Sequence, residues 1–257
     1  MHDDGLLPRA ARAARHVPRA VLIAATAIAC GGSKPAGPTV AAFHLVATHP
    51  LAVREPSDLA LDVYGGTLWT VSNHPARVYQ MDRDGNVLKT LKYQGQDLEG
   101  IAFDPFTHTL WVTEERSREL VQLSLDGDVL GRHHLDLVGK PNSGPEGVCL
   151  DERGRMFLVN EKDPGLFIEL DRKLAISARR PLSFAGDYSA ISSSQQKGCF
   201  WIVSDKSQML YLWSKPKGVI EEFPLSFQKA EGVAVDEAAK LIYIVSESGN
   251  TLYVFQM

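Results

Sequence analysis

Three short stretches, "DLEGIAFD" (Asp97 to Asp104), "GPEGVCLD" (Gly144 to Asp151) and "KAEGVAVD" (Lys229 to Asp236), each set a glutamate before a glycine and an apolar run. One such carboxylate carries no chemical message. Three of them, Glu99, Glu146 and Glu231, can supply oxygen ligands to a hard cation if the fold brings them together. A second acidic column closes the apolar runs that follow, at Glu115 in "TLWVTEE", Glu161 in "MFLVNE" and Glu247 in "LIYIVSE". No metal-ligand pattern of His or Cys accompanies either column, so the donor set is all oxygen. Calcium, which accepts six to eight oxygens in flexible geometry, suits it better than magnesium with its strict octahedron.

The elements that must position these residues emerge from an internal repeat. In register, the units open "PSDLALD", "LEGIAFD", "PEGVCLD", "YSAISSS" and "AEGVAVD", and the key position steps through Ser57, Glu99, Glu146, Ser189 and Glu231 at intervals of 42, 47, 43 and 42 residues. Each unit continues with a second run rich in β-branched and aromatic residues, then a third, and in the first two units an Asp-Gly turn ("RDGN", "LDGD") into a fourth. Four short antiparallel strands in roughly 40–45 residues predict a blade of a β-propeller. The fold class is therefore all-β, a five-bladed propeller over residues 41–257. The fifth unit has only three strands before Met257, and "AAFHLVATHPL" (Ala41 to Leu51) is an orphan strand before the first unit. Pairing the two closes the ring and leaves no open sheet edge. The aromatics Trp69, Trp111, Phe157, Trp201 and Tyr243 recur at one position and are expected to pack between blades.

In such a fold the start of each first strand and the end of each second strand share one face. The expected mouth pairs are Ser57 with Asn73, Glu99 with Glu115, Glu146 with Glu161, Ser189 with Asp205, and Glu231 with Glu247. So many carboxylates around one opening repel one another, and they require hydration, protonation or a bound cation. Glu99, Glu115, Glu146, Glu161, Glu231 and Glu247 are the expected metal ligands, with Ser57, Asn73, Ser189 and Asp205 as further mouth residues. Two other readings stay open: the glutamates cap loop amides, or they hold a different cationic ligand.

The N-terminus has another character. Arg9, Arg12, Arg15 and Arg19 precede the apolar run "VLIAATAIAC" (Val21 to Cys30), the order of a secretory signal, and the run is too short to span a bilayer. Residues 1–29 are expected to be a signal peptide, and residues 30–40 a lipidated Cys30 with a flexible tether. Cleavage after "AIA" by an ordinary signal peptidase fits as well. The protein would then sit in the bacterial cell envelope, touching membrane only through its lipid, or be secreted. Loss of residues 1–29 takes the formal charge from −4 to −6, and no Lys/Arg cluster interrupts this balance, so nucleic acid is not an expected partner. Cys149 and Cys199 lie inside apolar strand patterns and are expected to be separate buried thiols; a disulfide between them is the alternative.

The run "LEGIAF" … "WVTEER" … "PEGVCLD" … "AEGVAVDEAAKLIYIVSE" resembles the SdiA-regulated (YjiK-like) family of bacterial envelope proteins, over about residues 43–257. The resemblance implies a five-bladed propeller with a calcium site, distantly related to NHL-repeat proteins. It matches the acidic openings to Glu99, Glu146 and Glu231 and the strand-end acids to Glu115, Glu161 and Glu247. For function, three readings follow: binding of a small molecule, glycan or protein at the mouth; metal-dependent hydrolysis of a lactone or ester; and docking of a partner without chemistry. No G-x-S-x-G elbow supports a serine hydrolase. His74, beside Asn73, reads as a solvated or capping residue, and His133 and His134 fall on an outer strand.

Overall fold

Apolar residues in long unbroken runs can form strands only where both sheet faces are covered. The second run of every unit meets that condition. Residues Thr67–Ser72, Thr109–Glu114, Met156–Asn160, Cys199–Ser204 and Leu241–Ser246 form strands that are buried almost end to end. The fourth strands, such as Val87–Gln94, face solvent along most of their length. A computed structural model describes residues 38–40, 43–140 and 142–257. The expected signal peptide, Cys30 and most of the tether lie outside the described residues.

Five sheets of antiparallel strands are arranged as a five-bladed propeller. The innermost strands are Pro56–Asp62, Leu98–Asp104, Pro145–Leu150, Ala190–Ser193 and Ala230–Asp236, and each lies beside the innermost strands of the blades before and after it. The strand ahead of the first unit completes the ring as expected: His44–Pro50 pairs antiparallel with Thr251–Gln256 as the fourth strand of blade five. One pairing was not legible in the sequence. Thr39–Val40, within the expected tether, runs parallel to Gly218–Pro224 and adds a fifth strand to blade four.

The core is divided among the five seams between blades. Trp69 packs with Ile101 and Phe103 of the next blade, Trp111 with Val148 and Leu158, and Phe157 with Ile191 and Phe200. Trp201 packs with Val233 and Ile242, and Tyr243 with Leu59 and Leu68. Each aromatic stands opposite a small residue of its own first strand: Ala60, Ala102, Cys149, Ser192 and Ala234 are the register partners of these five rings. The small partner leaves room for the ring to lean across the seam. Cys149 and Cys199 are free buried thiols in different seams.

Turns follow local chemistry. Asp62 accepts the amides of Tyr64 and Gly65, Asp104 those of Phe106 and Thr107, and Asp151 those of Arg153 and Arg155, so each carboxylate stands in for a backbone turn partner. The Glu-Gly glycines answer a different need. A Cβ on Gly100 would lie 2.2 Å from the Glu146 carbonyl oxygen, and one on Gly232 would lie 2.5 Å from the Asp58 Cα. Innermost strands approach that closely around the axis. Gly100→Ala is expected to lower unfolding stability by roughly 1–3 kcal/mol through overpacking, measured by urea denaturation; an unchanged midpoint would contradict the contact.

Candidate metal centre

Backbone geometry aims the key residues at the axis. In four blades the register between the first two strands slips by one residue at the key position. It runs from Pro56↔Ser72 to Asp58↔Val71, from Leu98↔Glu114 to Gly100↔Thr113, from Pro145↔Asn160 to Gly147↔Val159, and from Ala230↔Ser246 to Gly232↔Val245. Ser57, Glu99, Glu146 and Glu231 are thus the extra residues of β-bulges, which re-aim a side chain out of the ladder. Just upstream, Glu55, Asp97 and Lys229 adopt left-handed φ values of 48°, 56° and 56°. The carbonyls of Glu55, Asp97, Gly144 and Lys229 then accept the amides of Asn73, Glu115, Glu161 and Glu247. These bonds lock four of the five expected pairs. Blade four differs: the Asp187 carboxylate accepts Ser204 Oγ and the Lys206 amide, and Ser189 N–H donates to the Val203 carbonyl without a bulge.

Ser57, Asn73, Glu99, Glu115, Glu146, Glu161, Glu231 and Glu247 line one cavity of ≈ 400 Å³. Ser189 and Asp205 stand beside it, Ser189 next to Glu231 and Asp205 4.0 Å from Lys229. Within the cavity the acids fall into two sectors. In one, carboxylate oxygens of Asp97, Glu99 and Glu115 lie within 4.8 Å of one another, as do those of Glu115, Glu146 and Glu161. Glu115 is common to both groups, and its Oε1 also accepts the Gly144 amide at 2.9 Å. In the other sector Lys229 Nζ reaches Glu247 at 3.3 Å and Glu231 at 3.7 Å. A second ammonium, that of Lys162, pairs with Glu161.

Electrostatics follow from burial and crowding. Burial pushes the Glu99 carboxyl well above the usual range, and Glu115, Asp97 and Glu231 push it further. Glu146 rises for the same reasons, with Glu99 and Glu115 its strongest acidic neighbours. Glu115 is raised by burial, against the Gly144 amide that holds its charge. Burial takes Glu231 to about 7, while Lys229 pulls it back and Asp205 adds to the rise.

A divalent cation can be tested against these groups. Asp97 Oδ2 is buried and has no hydrogen-bond partner, although Arg116 Nε stands 3.5 Å away. Asn73 Nδ2 donates to Glu99, but among the described residues no donor reaches the Glu146 carboxylate. Mutually close carboxylate oxygens that outnumber the donors and cationic groups reaching them suit a hard cation with oxygen preference. The donor chemistry fits calcium.

The sequence reading missed Asp97, Lys162 and Lys229. Two of these share a column that was available: Glu55, Asp97 and Lys229 each sit two residues before a key position. Lys162 directly follows a strand-end acid. It also missed Asp58, which takes the place that Gly100, Gly147 and Gly232 hold elsewhere; its buried carboxylate accepts the amides of Leu59 and Ile101, tying blade one to blade two. His74 does not line the cavity, and His133 leans on Trp111 at the outer strand.

The fold is similar to that of a glutaminyl cyclase from Myxococcus xanthus, with a TM-score of 0.66, 14% identity, and 86% of this chain and 98% of that one covered. It is also similar to a gluconolactonase from Xanthomonas campestris, with a TM-score of 0.56, 14% identity, and coverage of 87% and 98%. A virginiamycin B lyase from Staphylococcus aureus aligns with a TM-score of 0.50 at 16% identity over 79% of this chain, which spans 66% of the lyase's length. At these identities the likeness concerns the propeller fold. The sequence profile of the SdiA-regulated family matches residues 43–256, the whole ring of blades, and the chain belongs to that family.

Proposed function

We propose that the acidic mouth is a calcium site and that the protein uses it to bind an oxygen-rich ligand, a small molecule, a glycan or a protein side chain. The observation that carries this is the pair of carboxylate groups sharing Glu115, with the buried Asp97 Oδ2 beside them making no hydrogen bond and only the 3.5 Å ion pair with Arg116. Asp97, Glu99, Glu115, Glu146 and Glu161 would hold the ion, which when bound supplies a Lewis-acidic centre able to take further ligand oxygens. Lys162 and Lys229 add ammonium donors in the same cavity for hydroxyl or carboxylate groups. Glu231 and Glu247, already paired with Lys229, would shape the ligand side and leave the ion to the other sector.

A second reading, metal-dependent hydrolysis, has one specific observation in its favour. Glu231, with its carboxyl near 7, could exchange a proton at neutral pH beside that cavity. Turnover of lactones and aryl esters that requires calcium and is lost in Glu231→Gln would move the assignment to an enzyme. The reading extends to location: the basic, apolar and small-residue order of residues 1–30 supports export and lipid attachment at Cys30, in the bacterial cell envelope.

Two outcomes are expected. At a calcium concentration about a hundredfold over Kd, binding adds about 2.7 kcal/mol to stability, a rise of roughly 5–10 °C in Tm for a domain this size. Glu115→Gln should abolish that shift because both carboxylate groups lose a member, and Glu247→Gln should retain most of it. Differential scanning fluorimetry with calcium and with chelator reads both; no shift in the parent protein would refute the site.

The pH dependence has a definite sign. Without a cation the raised carboxyls hold protons in the folded state that the unfolded chain releases from about pH 4.5 upward. The stability they contribute is fully present below that pH and is lost as pH rises through the folded value, about 7 for Glu231. Calcium must displace the protons held by Glu99, Glu115 and Glu146, so its stabilising shift grows as pH rises through their raised values. Melts between pH 5 and pH 8 should show the chelator-treated protein losing Tm while the calcium increment widens. A calcium increment constant across that range would exclude the raised Glu99, Glu115 and Glu146 carboxyls as ligands.

A further inference from the structure

The opposite end of the channel has a different chemistry. First strands run from the acidic mouth to the turns Val63–Gly66, Pro105–His108 and Glu152–Gly154, so these turns frame the far opening. A cavity of ≈ 370 Å³ lies there, walled by Leu61, Phe103, Leu150, Ile191 and Val235. Two aromatic rings stand at its rim largely in solvent, Tyr64 at 66% exposure and Phe106 at 61%. Both are held in place. Tyr64 stacks on His108 with ring centroids 5.0 Å apart and planes 7° apart, and Phe106 lies over Gly154. One wall is polar: Ser192, Ser193 and Gln195 line it, and their side chains form no hydrogen bond among the described residues.

We propose that this far mouth is a second binding site, for a small uncharged molecule with an aromatic or short acyl body and one hydrogen-bonding end. The volume falls within the range of small-molecule pockets, and an apolar lining with a few convergent polar groups is the composition such pockets have. Two exposed rings cost hydration where they stand, and burying them against a ligand recovers it. The unpaired hydroxyls of Ser192 and Ser193 offer both donors and acceptors, so they select a polar end without demanding charge. The acidic mouth lies at the other end of the first strands, so this site does not depend on the calcium site.

The uncharged dye N-phenyl-1-naphthylamine, whose fluorescence rises in apolar surroundings, tests the proposal on the full-length protein. Saturable binding with one site is expected. Tyr64→Ser together with Phe106→Ser should weaken it by roughly tenfold or more; both side chains are exposed, so the fold survives their loss. Ser193→Leu, which fills the polar wall, should reduce binding independently. Leu130→Ser, an exposed apolar residue on an outer strand at 54% exposure, should leave binding unchanged, as should Glu115→Gln at the acidic mouth. A signal that never saturates, or that falls equally in Leu130→Ser, or that ignores the Tyr64 and Phe106 changes, would overturn the site.

Discussion

Five first strands share one axis, and their mutual approach governs what the rest of the molecule can do. There is no room for a Cβ where Gly100 faces the Glu146 carbonyl or where Gly232 faces the Asp58 backbone. With the backbone this tight, the residue just before the glycine cannot stay in the ladder, and the bulge turns it toward the axis. Crowding of carboxylates is therefore a product of the same geometry that closes the ring. Blade one solves the contact differently, with Asp58 using its carboxylate to satisfy backbone amides of its own strand and of blade two.

The channel that results is polar at one end and apolar at the other. At the acidic end, charge is not spread evenly. Lys229 neutralises the blade-five side, and the Asp97–Glu99–Glu115–Glu146–Glu161 side keeps an excess of negative oxygens. Burial makes that excess costly, because each carboxylate loses hydration while gaining like-charged neighbours. A repeat of identical blades would centre the negative charge on the axis. The two serine blades and Lys229 break the symmetry, and the excess of negative charge lies on the side opposite Lys229.

Much of this was legible in the sequence because repetition amplifies weak signals. The spacing of Glu99, Glu146 and Glu231 fixed the blade period, the missing strand of the fifth unit identified its partner in His44–Pro50, and antiparallel geometry yielded the pairs across the mouth. Features that belong to one blade only were not legible. Lys162 stands outside the acidic columns, and Lys229 replaces an acid in the column of Glu55 and Asp97, so the charge it brings to the mouth shows only once the bulged backbone is traced. Division of the acids into two sectors arises from side-chain distances that a periodic pattern does not encode. The rim of the far cavity depends on Tyr64 and Phe106, at a turn position held by Arg153, Gln196 and Ala238 in the other blades, so the repeat does not announce it. Thr39–Val40 lacks any partner nearby in sequence, so its parallel pairing with blade four could not be anticipated.

Closure through His44–Pro50 has a consequence for the order of assembly. Its partner, Thr251–Gln256, is synthesised some two hundred residues later, so a nascent chain carries an unpaired strand through almost its entire production. Loop entropy grows only logarithmically with chain length, but contacts this distant in sequence slow folding. Blades one to four can stack progressively on local contacts, whereas the ring closes only once Thr251–Gln256 is available. Until then the end blades of the growing arc expose sheet faces that a seam will later bury, and any factor that shields a naked strand during biogenesis would act on His44–Pro50.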